Sequence, residues 1–173
     1  GKICIWTNIM KKLILVRHAK SSWEFNVTDH ERPLNEKGIK DANNVSNELN
    51  LKDLSLDLVL SSDSVRTKTT ANTFISNLNI KESLVYFNHD LYDFSGGNLV
   101  RVIKNCDKNI NTLMIFGHNH AITAFVNTYG SIYIDNVPTC GVVIIDFDIN
   151  NWNDLNKGKT VETLFPRDLK TEK

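Results

Sequence analysis

Arg17 and His18 stand directly behind the apolar run Leu13-Ile14-Leu15-Val16 and ahead of Ala19-Lys20-Ser21-Ser22-Trp23. A short aliphatic run bounded by polar residues reads as a buried strand. A strand that ends on Arg-His delivers both side chains to its carboxyl end, where open α/β sheets bind ligands. A guanidinium beside an imidazole disfavours the protonated ring, because two like charges would then be adjacent. Such a pair suits a neutral, nucleophilic His held next to an anion. Two further strand ends supply matching groups. Ser61-Ser62 follows the largely apolar residues 56–60, with Arg66 one turn on, and Gly117-His118-Asn119 follows residues 112–116. Arg forks bind phosphate oxygens bidentately, and a helix opening near Ser64 adds backbone N–H groups to the same anion. A second His can donate to the oxygens over which transition-state charge is spread. The convergence predicts a phosphate cradle in which one imidazole attacks phosphorus, its other nitrogen tied down by a backbone carbonyl.

Each piece also has a plainer reading. Residues 61–70 form an acceptable capped helix with Arg66 on a solvated face. His118 and His120 make an H-x-H pattern, but an extended segment turns only one of them to a given side, and no carboxylate or Cys cluster accompanies them. No metal ligand is therefore expected, and His120 reads as a surface or capping residue. Asp146, Asp148 and Asp154 lack the glycine and terminal Glu of a calcium loop. Trp23 and Trp152 read first as packing residues, with Trp23, in the loop beside His18, the better candidate for touching a ligand.

The elements that must position these residues follow from periodicity. After the first strand a polar stretch, 21–38, contains Pro33 and Gly38 as breakers and reads as a long loop, of a length that in a compact domain tends to be functional. Ile39, Ala42, Val45 and Leu49 recur at helical spacing. Strands are expected at 56–60, 84–87, 112–116, 141–147 and 159–165, and helices from the Ser64 cap through Leu78, at 100–106 and at 121–129. The alternation predicts an α/β fold, a three-layer α/β/α sandwich around a mostly parallel sheet, with the ends of strands one, two and four on one edge.

The 173 residues suit one domain. Met10 reads as the natural start of that domain, 10–173, and residues 1–9 as an extension. Twenty basic and twenty acidic side chains cancel, which removes the general electrostatic case for nucleic acid or an anionic membrane as partner. Cys4, Cys106 and Cys140 are odd in number and widely spaced, arguing against a disulfide framework and for a reducing, cytoplasmic setting. No stretch approaches the ~20 apolar residues of a membrane span.

The motifs Leu15-Val16-Arg17-His18-Ala19-Lys20-Ser21-Ser22-Trp23, Arg32-Pro33-Leu34-Asn35 with Gly38, Ser61-Ser62 with Arg66-Thr67 and Thr70-Ala71, Leu91-Tyr92, and Gly117-His118-Asn119 resemble, in this order, the histidine phosphatase (phosphoglycerate mutase-like) superfamily. The element from Asp29 to Gly38 is similar to that of its SixA-type phosphohistidine phosphatase branch. The resemblance implies a phosphoglycerate mutase-like fold and no cofactor. It also implies a His18 that is transiently phosphorylated, with Arg17, Arg66 and His118 binding the phosphoryl group. Ser21, Trp23 and Asn119 are further candidates for substrate contact. Larger members supply a carboxylic acid to protonate the leaving alcohol. No clear counterpart stands here; Asp90 is nearest, with Glu24 and Asp93 behind it. An imidazole leaving group is far less basic than an alkoxide and needs less acid assistance, so the expected substrate is a protein phosphohistidine. The alternatives are a small phosphate monoester, or a non-catalytic module that recognises phosphorylated partners.

Overall fold

The computed structural model describes residues 11–50, 52 and 54–169; the extension 1–9, Met10 and Cys4 within it lie outside the described residues. Six strands, β1 (Lys11–Arg17), β2 (Leu58–Ser61), β3 (Val85–Phe87), β4 (Thr112–Gly117), β5 (Val142–Phe147) and β6 (Lys159–Leu164), form one sheet in the order β3-β2-β4-β1-β5-β6. The first four are mutually parallel, and β5 runs antiparallel to both of its neighbours. Among the described residues, four α-helices cover the sheet: α1 (Glu36–Asn50), α2 (Val65–Asn77), α3 (Gly97–Lys104) and α4 (Ala121–Tyr129).

Because strand side chains alternate between faces, each central strand feeds two cores. Ile14 and Val16 of β1, with Met114 and Phe116 of β4, pack among Ala42, Val45 and Leu49 of α1 and Ala71 and Phe74 of α2. Leu13, Leu15, Leu113 and Ile115 pack on the other face with Leu99 and Ile103 of α3 and Ile122, Phe125 and Val126 of α4. Trp152 is fully buried in this second core, its indole N–H donating to the Ile110 carbonyl at 2.7 Å. The result is the α/β/α sandwich that the periodicity predicts.

Register decides where the chemistry sits. Arg17 is paired with Gly117, and Ser61 with Phe116. The three carboxyl ends therefore finish level, and His18, Ser62 and His118 emerge side by side.

Among the boundaries that differ from those read off periodicity, two differ for a polar reason and one for a steric one. Asp57 accepts the N–H groups of Asn111 and Thr112, both at 2.9 Å, its own N–H donates to the Thr112 carbonyl at 2.9 Å, and the ladder of β2 begins one residue later, at Leu58. Helix α3 starts at Gly97, before Val100, because the Asp93 carboxylate accepts from Gly96 and Leu99 N–H at 3.1 and 3.0 Å and caps it. Gly38 is no loop breaker but sits in the first turn of α1, where a Cβ would lie 2.1 Å from the Lys20 carbonyl oxygen. Glycine lets the helix touch the backbone just beyond His18. Ile39, the first residue of the helical pattern, faces outward.

Candidate active site

His18 leaves β1 buried, 7% exposed. Its Nδ1 lies 2.7 Å from the Ala19 carbonyl oxygen, and its Nε2 lies 3.3 Å from Nε of Arg66. A carbonyl only accepts and a guanidinium only donates. The two contacts together therefore require Nδ1 to carry the proton and Nε2 to carry the lone pair. Burial, with the charges of Arg66, Arg17 and Arg32, lowers the His18 pKa to about 3 despite the opposing bond to Ala19. The ring is a neutral base with one defined nucleophilic atom.

Arg66 owes its place to α2, which Ser64 caps by accepting from Thr67 N–H at 3.3 Å. Thr70, one turn on, accepts the Ala19 N–H at 2.9 Å and so ties the segment after His18 to the same helix. The guanidinium is itself clamped. Its Nη1 donates to the Asp29 carbonyl at 2.6 Å and its Nη2 to Asp29 Oδ2 at 2.9 Å. With Nε directed at His18, three of the five N–H groups of Arg66 are engaged and two are left for an anion. Burial resists the ionisation of Asp29, but hydrogen bonds from Tyr92, Arg66 and Arg32, with the Arg66 charge, outweigh it and hold the carboxyl well below the usual carboxylate range.

His118 is 1% exposed. Its Nε2 meets Ser62 Oγ at 2.9 Å and Thr67 Oγ1 at 3.3 Å. Its ring centroid lies 5.2 Å from that of His18, 5.3 Å from Tyr92 and 4.9 Å from Phe94. Burial, with His18 and Arg66 adding to it, drives its pKa down to about 2. Arg17 Nη1 donates to the Val137 carbonyl at 2.9 Å in the loop before β5, while Cys140 N–H closes on the carbonyls of Arg17 and His18. Among the described residues, two buried side-chain nitrogens have no hydrogen-bond partner: Arg17 Nε and His118 Nδ1. Leaving a buried donor unpaired costs about 1–3 kcal/mol.

Thus His18, Arg66 and His118 come together as the three strand ends predict, with Arg17 beside them. The other candidates have different surroundings. Ser21 Oγ accepts from Arg32 Nη2, and Trp23, 78% exposed, stacks on the Arg32 guanidinium with the central carbon 3.3 Å from the ring centroid. Asn119 caps α4, accepting from Thr123 N–H and Oγ1 at 3.1 and 2.7 Å and donating to Asn136. Asp90 is exposed on the turn His89–Leu91, its backbone N–H bonded to Asn88. Asp93 is committed to capping α3. Sequence reasoning assigned no role to Asp29, Arg32, Ser62, Thr67 or Tyr92, which hold the Arg and His groups. The only local signal for them was membership of the quoted motifs.

Among the described residues, no helix is long and apolar enough to cross a membrane. The chain is 29% identical over 157 residues to an uncharacterized chloroplastic protein of Arabidopsis thaliana, covering 86% of this chain and 72% of that one. It is 27% identical over 154 residues to an uncharacterized protein of Mycobacterium tuberculosis, covering 83% and 93%. Among solved structures it is similar to one from Agrobacterium tumefaciens assigned by name to the phosphohistidine phosphatase SixA, with TM-score 0.75, 22% identity and coverage of 89% and 97%. A protein histidine phosphatase SixA solved with tungstate gives 0.72, 17%, 92% and 99%. Phosphoglycerate mutase from Bacillus anthracis gives 0.58, 16%, 86% and 96%. These likenesses establish the phosphoglycerate mutase-like fold. The model of the histidine phosphatase superfamily (branch 1) matches residues 13–99, the span that contains Arg17-His18 and the Arg66 helix. With His118 completing the same pocket from β4, the chain belongs to the histidine phosphatase superfamily.

Proposed function

We propose that the protein is a metal-independent phosphohistidine phosphatase acting on a phosphohistidine carried by another protein. The observation that carries the reading is the pair of bonds that leaves a lone pair on His18 Nε2 within a cluster of two Arg and a second His. His18 Nε2 attacks phosphorus, the bond from phosphorus to the substrate imidazole breaks, and that ring, protonated on its other nitrogen before the attack, departs as neutral imidazole with the electron pair of the broken bond. Water then attacks phospho-His18. The P–N bond breaks, inorganic phosphate leaves, and the ring returns to its starting tautomer. Arg17, Arg66 and His118 stabilise the equatorial oxygens in both transfers, the service that a divalent ion gives elsewhere. Ser21 and Trp23 act through Arg32, which they hold.

The carboxylates support an imidazole leaving group. Asp29 is held ionised by Arg66, Arg32 and Tyr92, and Asp93 is occupied by three backbone N–H groups of the α3 cap. Neither suits the delivery of a proton to a departing alkoxide, whereas an imidazole needs little help. The free thiols of Cys106 and Cys140 suit a reducing, cytoplasmic setting, and the domain is taken to begin near Met10.

The test compares kcat/KM on a phosphohistidine peptide with that on a panel of sugar and nucleotide monophosphates, with and without a chelator. The expected outcome is preference for the phosphoramidate, no effect of chelator, and an acid-labile, base-stable phosphoryl label on wild-type protein that His18→Ala lacks. A clear preference for an ester would move the substrate class. Turnover by His18→Ala would end the mechanism.

A further inference from the structure

Three side chains outside the phosphoryl pocket converge from segments far apart in sequence. His30 comes from the turn Asp29–Glu31, Asp63 from the connection between β2 and α2, and His89 from the turn His89–Leu91. His30 Nε2 lies 2.8 Å from Asp63 Oδ1, and His89 Nδ1 lies 3.0 Å from both Asp63 oxygens. One donor atom from each residue can be chosen so that all three fall within 4.8 Å of one another. We propose that His30, Asp63 and His89 form a binding site for a divalent transition metal of the zinc class at the rim of the pocket.

The donor set selects the ion. Two imidazoles and one carboxylate suit borderline cations such as Zn²⁺, whereas Ca²⁺ and Mg²⁺ demand oxygen shells. The separations are close to those required. Zinc bonds of about 2.0–2.1 Å in a tetrahedron place donors roughly 3.4 Å apart, so the two short contacts must open slightly and the remaining gap must close. His89, with a side chain 69% exposed, has the freedom to do this. Binding would replace the imidazole hydrogen bonds to Asp63 by metal bonds, each neutral ring moving its proton to its other nitrogen. For His30 that nitrogen, Nδ1, lies 3.9 Å from Glu31 Oε2. A carboxylate behind a ligating His is the usual outer partner, fixing tautomer and ring orientation. Tyr92 packs edge-on against His30 with centroids 4.9 Å apart. Three protein ligands leave a fourth position for water.

The site would clasp three segments that also build the pocket. Asp29 adjoins His30 and binds Arg66, Ser62 adjoins Asp63 and binds His118, and Tyr92 follows His89 by three residues and donates to Asp29. The proposal does not depend on which phosphoryl substrate the pocket takes, nor on turnover.

The experiment titrates Zn²⁺ into the full chain, freed of metal by dialysis, against a chromophoric competing chelator. A parallel titration uses Co²⁺ and visible absorption, and melting is recorded with and without Zn²⁺. Wild-type protein should bind one Zn²⁺ with a Kd in the micromolar range or below, give the intense visible bands of tetrahedral Co²⁺, and melt at a higher temperature with metal. His89→Gln and Asp63→Asn should each weaken binding by at least ~10-fold and abolish the Co²⁺ bands and the metal-induced rise in Tm. His89 is an exposed side chain, and unchanged metal-free melting of His89→Gln establishes that the variant folds. Absence of stoichiometric binding, or binding that both variants leave unaltered, overturns the proposal.

Discussion

Acidification from about pH 7.5 to about pH 4.5 should cost the wild-type protein stability through His18 that His18→Asn does not lose. Burial, reinforced by Arg66, Arg17 and Arg32, holds the folded ring at a pKa of about 3, while an unfolded imidazole titrates near ~6.5. Between those values the unfolded chain binds a proton that the folded chain refuses. The stability is thus fully present above ~6.5 and is lost progressively as the pH falls toward the folded value. At about pH 4.5 the folded ring is still neutral, and the roughly two units below the unfolded pKa correspond to about 3 kcal/mol. Screening does not dilute this, since His18 is 7% exposed. His118, lowered to about 2 chiefly by burial, contributes a similar loss. Urea unfolding of wild type, His18→Asn and His118→Asn at the two pH values gives the comparison, and the carboxylates common to all three proteins cancel. Each variant should lose about 3 kcal/mol less than wild type on acidification. Equal losses in wild type and His18→Asn would mean that the folded ring protonates as readily as the unfolded one. The argument for a neutral nucleophile at His18 would then fail.

Arg66→Ala should lower kcat/KM at least ~10²-fold, the usual cost of removing a donor aimed at developing charge; a loss of threefold or less in steady-state assays on any phosphoryl substrate would show that this side chain does not serve the transition state. Asp29→Asn should reduce kcat/KM by about tenfold through misplacement of Arg66, since it weakens the clamp on the guanidinium without touching the nucleophile. Single-turnover kinetics that match wild type would refute that positioning role. Gly38→Ala should destabilise the fold by about 1–3 kcal/mol, because its Cβ would meet the Lys20 carbonyl oxygen at 2.1 Å and nitrogen at 2.9 Å, backbone atoms that cannot swing aside. An unchanged urea midpoint would show that the segment after His18 yields freely.

What the chain states locally is the strand, the cap and the end of each element. The aliphatic run 13–16 had to be buried on both faces, Ser64 had to cap the helix that carries Arg66, and His18 and His118 had to stand just past strand ends. These follow from short-range periodicity and side-chain capping, so the sandwich and its principal groups could be read without coordinates. Asp57 and Asp93 show where that reading stops short. Each carboxylate reaches backbone N–H groups, on the neighbouring strand or at the head of the next helix, where the element begins two or three residues from the periodic boundary. The His18 tautomer was beyond sequence altogether, because it depends on Arg66 Nε, 48 residues away, reaching Nε2. So was the Asp29 clamp, and so was the meeting of His30, Asp63 and His89. Such contacts exist only because β2, β4 and β1 lie adjacent in a register that ends Ser61, Phe116 and Arg17 at one level. Residue types and caps are properties of a few neighbouring positions and can be read along the chain. Which donor faces which acceptor across three strands is set by register and packing, and only the tertiary structure decides it.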